Sequence, residues 1–271
     1  MKEPASLLNA PSQARSRAAV MHELRRLLPA YESSRREDLH KILPFGLAAV
    51  DSHLEGGLAC GALHEVVPEM AAALPAAFGF IAAFLARLSS PFPLVLVLPA
   101  YTRRQQGCLS GHGLNALGLD PTRLILIETA HRKDTLWAMA EALRSAAPAA
   151  VAGMIDKLDL KTSQKLQLAA GDAGLPLLLL RPAPTLEASA AATRWRIGTA
   201  EAARDRFGLY AHPRWHLQLE RARNGRPGQW VVEYDHVAHR FNLAAALADP
   251  AFSRGASDGA AGQRVLQAGR S

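Results

Sequence analysis

From residue 42 onward, short apolar runs alternate with longer stretches in which apolar residues recur every three or four positions. Side chains repeat every two residues along a strand and about every 3.6 along a helix, so the two textures read as buried strands and amphipathic helices. The runs place strands near 62–67 (ALHEVV), 93–98 (PLVLVL), 123–128 (RLILIE), 150–155 (AVAGMI) and 175–180 (LPLLLL), and helices near 71–88, 102–117, 132–146 and 160–173. Strands alternating with helices in this way form βαβ units around a mostly parallel sheet. The unbroken apolar character of PLVLVL and LPLLLL predicts helices on both faces, a three-layer α/β core.

The pattern changes after residue 193. Trp195 and Ile197 alternate with Arg194 and Arg196, and Trp215, Leu217 and Leu219 alternate with His216, Gln218 and Glu220. This is the period of strands with one buried face. The turn cluster NGRPG (224–228) followed by QWVVEYD predicts a β-hairpin over 214–235 that extends the sheet edge. Upstream, SQARSRAAVMHELRRLL (12–28) has helix spacing, with a stripe of Met21, Leu24, Leu27 and Leu28 and an Arg-rich outer face. That stripe suits docking on a partner and equally suits folding back on the chain's own core. The expected organisation is an N-terminal helical arm (1–41), the α/β core (42–193), a basic β-rich extension (194–243) and a flexible Gly/Ala/Ser-rich tail (244–271).

Charge sharpens this division. The formal net charge is +7, and counting Lys+Arg against Asp+Glu gives 8 against 5 in residues 1–41, 11 against 12 in 42–193 and 9 against 5 in 194–240. The core is neutral, and the excess lies in the flanking segments. No stretch of 18 or more apolar residues and no secretory signal pattern occurs, so a soluble cytoplasmic protein is expected. Two cysteines, Cys60 and Cys108, cannot make a four-thiolate metal cage and are expected to be reduced and buried.

The densest motif is LPFGLAAVDSHLEGGLACGALHEVVPE (43–69). Its Pro44/Gly46 turn, Asp51, the Gly56-Gly57 pair, Gly61 and the strand closing on Glu65-Val66 together resemble the entry into a RecA-type core. In a RecA-type ATPase that strand leads into G-x-x-x-x-G-K-[ST], whose amides and lysine hold the nucleotide phosphates. Here the corresponding loop, Val67 to Pro75, has no Gly, Lys, Ser or Thr, and Pro68 and Pro75 lack amide donors. The strand PLVLVL ends in Leu98-Pro99-Ala100-Tyr101 in place of a water-orienting glutamate. Asp156, after AVAGMI, stands where an acid would help hold magnesium, and alone it reads as a helix N-cap. The expectation is a RecA-like fold with a degenerate phosphate loop, no nucleotide or other cofactor, and no catalysis.

A RecA-like core of this length without its loop resembles the ImuA family of bacterial SOS-mutagenesis accessory proteins. The matching stretches are GGLACGALHEV (56–66), ALGLDPTRLILIE (116–128), KTSQKLQLAAGDAGLPLLLLRP (161–182) and the WHLQLERARNGRPGQWVVEY hairpin (215–234). The resemblance spans about 43–243. It implies a non-catalytic scaffold in damage-induced, error-prone translesion synthesis. The implied partners are an ImuB-like polymerase-related protein, RecA, an error-prone C-family DNA polymerase and DNA. Two alternatives stay open in the residues: a RecA-type ATPase with an unusual nucleotide loop, and an SOS cell-division inhibitor.

Arg194, Arg196, Arg221, Arg223 and Arg226, with Trp195, Trp215 and Trp230 between them, admit two readings. One is a phosphate-tracking surface with aromatic rings for bases; the other is a solvated strand face over tryptophans packed into the core. His212, His216, His236 and His239 lack the spacing of a metal site, and Cys108, Ser110 and His112 lack the strand-turn-helix context of a hydrolase nucleophile.

Overall fold

The computed structural model describes residues 42–181, 187–202, 207, 209, 212–223 and 225–244. The N-terminal stripe of Met21, Leu24, Leu27 and Leu28 and the tail lie outside these residues. The elements are β1 (Ile42–Leu43), α1 (Ala48–Asp51), β2 (Leu58–Ala59), β3 (Leu63–Pro68), α2 (Leu74–Ala86), β4 (Leu94–Pro99), α3 (Ala100–Gln106), α4 (Gly111–Ala116), β5 (Leu124–Thr129), α5 (Arg132–Ser145), β6 (Ala150–Met154), α6 (Leu160–Ala173), β7 (Leu177–Leu180), β8 (Thr193–Ala200), β9 (Arg214–Ala222), β10 (Gly228–Asp235) and β11 (Arg240–Leu243).

Nine strands form one sheet in the order β11-β10-β9-β8-β3-β7-β6-β4-β5. The six from β8 to β5 run parallel, and β8 to β11 pair antiparallel. The fold is α/β with RecA-like layering. Leu63, Val95, Val97, Val151, Leu177 and Leu179 point to one face and pack under α5 and α6. Val66, Leu96, Ala152, Leu178 and Trp195 point to the other, under α2.

Local chemistry explains the main helices. α2, LPAAFGFIAAFLA, is apolar nearly all round because it is buried between the sheet and the segments above it. Gly79 permits this: a Cβ there would stand 3.3 Å from Trp215 Cζ2. α6 starts where Asp159 accepts from the Thr162 amide at 2.9 Å and ends at Gly174, whose φ of 68° is left-handed. The Gly56-Gly57 turn returns the chain so that β2 pairs with β1, Ile42 facing Ala59. A Cβ on Gly57 (φ 144°) would collide with the Leu43 carbonyl.

Several expectations are corrected. The segment 102–117 is two helices, because Gly107 (φ 84°) ends α3 and Ser110 caps α4 by accepting from the Gly113 amide. Asp156 caps nothing; Asp159 takes that role. Cys60 is buried, but Cys108 is exposed on the α3–α4 loop. The strand carrying Trp195 is interior to the sheet, between β3 and β9, and the β9–β10 hairpin is followed by a further edge strand, β11. The segment 194–243 thus continues the sheet that 42–193 begins.

Over the antiparallel half, α2 and the strands meet in an aromatic cluster. Phe45, Phe80, Phe84, Trp195, Trp215, Tyr234 and Phe241 meet with ring centroids 5.0–6.5 Å apart, and Tyr234 donates its hydroxyl to the Leu117 carbonyl at 2.7 Å. No helix among the described residues is long and apolar enough to cross a membrane.

Candidate functional site

Ligands of open α/β folds sit at the carboxyl ends of the parallel strands, and there the β3–α2 connection takes an unusual path. The Glu69 amide donates to the Ile197 carbonyl at 2.7 Å, so the chain keeps following β8 for one more residue. The Ala73 amide donates to the Met70 carbonyl at 2.9 Å, and Leu74 N–H donates to Ala71 within a short 3-10 turn. Pro68 and Pro75 have no N–H to offer. A phosphate cradle needs several amides converging on one point with a lysine beside them. Here the amides of Glu69, Ala73 and Leu74 are spent internally, no lysine stands in the loop, and an exposed carboxylate, that of Glu69, lies against Gly198.

The acid after β6, two strands from β3, is likewise occupied. Tyr101, in the first turn of α3, donates its hydroxyl to Asp156 Oδ1. Burial, then this hydrogen bond, then the carboxylate's charge push the Tyr101 hydroxyl well above its ordinary range, so it stays protonated and keeps donating. The position of the water-orienting glutamate and that of the magnesium acid are therefore bound to each other. Among the described residues no group of three or more His, Cys, Asp or Glu side chains is placed to hold a metal ion. His212 and His236 meet as an exposed pair with Nδ1 atoms 3.4 Å apart.

The five arginines separate into two sets. Arg194 reaches fully buried Glu65 at 2.7 Å and the Glu187 carbonyl at 2.8 Å. Arg196 pairs with Glu220 at 2.5 Å. Both are spent on carboxylates of the same sheet face, as is Arg214 on its cross-strand partner Glu233 at 2.8 Å. Arg221 and Arg223 instead donate to the main-chain carbonyls of Ser189 and Ala190, at 2.6 and 3.3 Å. With exposed Arg226 they mark the β9–β10 turn, and no carboxylate among the described residues neutralises these three. Trp195 and Trp215 lie in the aromatic core with 0% and 5% of their surface exposed, and Trp230 lies half-buried with its ring edge-on to His53. The first two are core residues and present no face to a base.

Sequence reasoning missed a polar network under β3. Glu65 (0% exposed) takes Arg181 Nη1 at 2.9 Å and Arg194 on its second oxygen, while Arg181 Nη2 reaches Glu187 at 2.5 Å. The signal was available: an acid inside the apolar strand ALHEVV and a base directly after LPLLLL have to find each other when both strands are buried. His64, its neighbour on the opposite face, donates Nε2–H to the Ala59 carbonyl at 2.8 Å and accepts the Thr193 hydroxyl on Nδ1 at 2.9 Å. Carbonyl oxygens only accept, which fixes the tautomer. Thr193 Oγ1 in turn accepts from Trp195 Nε1 at 3.1 Å. Burial lowers the His64 pKa to about 4, so the ring stays neutral.

Comparison with known proteins follows the same lines. No family model matches. Among solved structures, the crystal structure of the RadB recombinase superposes with a TM-score of 0.51 over 75% of this chain and 100% of that one, at 16% identity, which supports the fold alone. Two curated relatives named Protein ImuA, from Caulobacter vibrioides strains NA1000 / CB15N and ATCC 19089 / CIP 103742 / CB 15, are each 32% identical over 228 residues, covering 77% of this chain and 91% of theirs. With that identity over nearly the whole of those relatives, on a RecA-like sheet, the chain belongs to the ImuA family.

Proposed function

We propose that this protein is a non-catalytic RecA-like accessory factor in damage-induced, error-prone translesion DNA synthesis. It acts in the cytoplasm by holding partners together: an ImuB-like polymerase-related protein, RecA, and through them or directly an error-prone C-family DNA polymerase. The observation that carries the non-catalytic part is the closed strand-end edge. Glu69 N–H is spent on Ile197, and Asp156 on Tyr101, at the positions where nucleotide chemistry requires free donors and a free acid. Membership of the ImuA family supports the pathway.

Any direct DNA contact is assigned to the β9–β10 turn, through Arg221, Arg223 and Arg226, and not to Arg194 or Arg196, whose guanidinium groups are committed to Glu65 and Glu220. The test is co-purification of the full chain with an ImuB-like protein, with and without ATP and magnesium. Complex formation independent of nucleotide, with no phosphate released, is the expected result. A complex that forms only with ATP and magnesium contradicts the proposal.

A further inference from the structure

A cavity lies beside the closed edge and away from the arginine surface; of the degenerate loop only Leu74 and Pro75, at its α2 end, reach its lining. It has a volume of about 350 Å³ and opens between the start of α2, the α3–α4 loop and the ends of β4 and β5. Phe78, Leu98, Leu109, Leu126 and Met154 supply apolar walls. Small-molecule sites have this character: concave, mainly apolar, with a few placed polar groups.

The polar groups define the chemistry. Arg103 and Glu128 are the charged residues of the lining, and they face each other at 3.6 Å across the mouth, partly exposed. Their charges offset each other, so an ion gains nothing from entering, but together they present a hydrogen-bond donor beside an acceptor. An amide is the complement of that arrangement, since its carbonyl accepts from guanidinium and its N–H donates to carboxylate. Thr102, also in the lining, has a buried hydroxyl without a hydrogen-bond partner. Gly107, at φ 84°, turns the chain between α3 and α4 at the edge of the lining.

We infer that this cavity is a binding site for a small, net-neutral molecule in which an apolar group is joined to an amide. The inference is independent of the proposed role in translesion synthesis. The site also carries its own reporter, because Cys108 lies at the rim and is exposed while Cys60 is buried.

The experiment measures the rate at which iodoacetamide alkylates Cys108 in the full chain, with N-acetylphenylalaninamide as probe. A probe of about fifteen heavy atoms is expected to bind with a dissociation constant on the order of 1 mM. At roughly 10 mM it then slows alkylation about tenfold. N-acetylglycinamide, which lacks the apolar group, and magnesium-ATP leave the rate unchanged. Leu126→Trp, at a wall residue 43% exposed and so tolerant of a larger side chain, abolishes the protection without lowering the melting temperature. The inference is overturned by any of three results: no protection, protection by N-acetylglycinamide equal to that by the probe, or protection that survives in a folded Leu126→Trp. A Cys108 that is unreactive before probe is added overturns it as well.

Discussion

Substituting Glu65→Ala removes the one carboxylate that two arginines share. Among the described residues Arg181, 1% exposed, then keeps Glu187, itself 48% exposed, and Arg194, 14% exposed, keeps a main-chain carbonyl. Taking one partner from a buried ion pair strands the other charge away from water and costs about 3–5 kcal/mol. The internal standard is Arg196→Ala, which breaks a pair whose members are each 24% exposed and should cost about 1 kcal/mol or less. For a chain of this size, 1 kcal/mol shifts the melting temperature by about 2–4 °C, so Glu65→Ala lowers it by roughly 6–20 °C and Arg196→Ala by a few degrees at most. The assay is thermal unfolding followed by circular dichroism, with urea unfolding as a check that the midpoint moves and the slope does not. Glu65→Leu combined with Arg181→Met and Arg194→Met should recover much of the loss, because the whole network is then replaced by apolar volume instead of being broken. A Glu65→Ala variant no less stable than Arg196→Ala refutes the network as described.

Burial of His64 makes stability depend on pH. Its folded pKa of about 4 lies below the ordinary 6.5, so between those values the unfolded chain binds the extra proton; the contribution is fully present above pH 6.5 and is lost as pH falls toward 4, by about 3 kcal/mol in all. A His64→Gln variant should flatten the unfolding free energy across that window, and an unchanged slope would contradict a neutral buried ring. In single-stranded DNA titrations at several salt concentrations, replacing Arg221, Arg223 and Arg226 together by Ala should reduce the salt slope by about 0.7 per lost phosphate contact, whereas replacing Arg194 and Arg196 should not. The reverse pattern would move the contact to the sheet face.

The βαβ part of the fold was legible because its signal is local. PLVLVL and LPLLLL are apolar at every position, as strands covered on both faces must be, and they lie within a residue or two of where the pattern places them. The position of β8 was not legible. Alternating TRWRI reads as a strand with one wet face, yet Arg194 on that face is paired with Glu65 of the adjacent strand, 129 residues away, a contact no local window contains. The same holds for Asp156, whose partner Tyr101 is 55 residues away, so that the local rule for acids ahead of helices pointed to a cap that Asp159 supplies. The break in 102–117 had a visible cause in Gly107 and Ser110, whose turn and cap chemistry outweighs the helix-length spacing of the segment. For the candidate arginines, residue type and strand face could be read locally; which of them were already paired could not, because pairing depends on the register of β8 against β3 and β9.

The central claim is that a RecA-like sheet persists here without its nucleotide chemistry, and calorimetric titration of the full chain with ATP and magnesium tests it most directly. No saturable binding up to millimolar ATP, and no shift of the melting temperature, is the predicted result, because the amides of Glu69 and Ala73 are spent within the chain and the loop between β3 and α2 has no lysine. Micromolar binding that requires magnesium would contradict it.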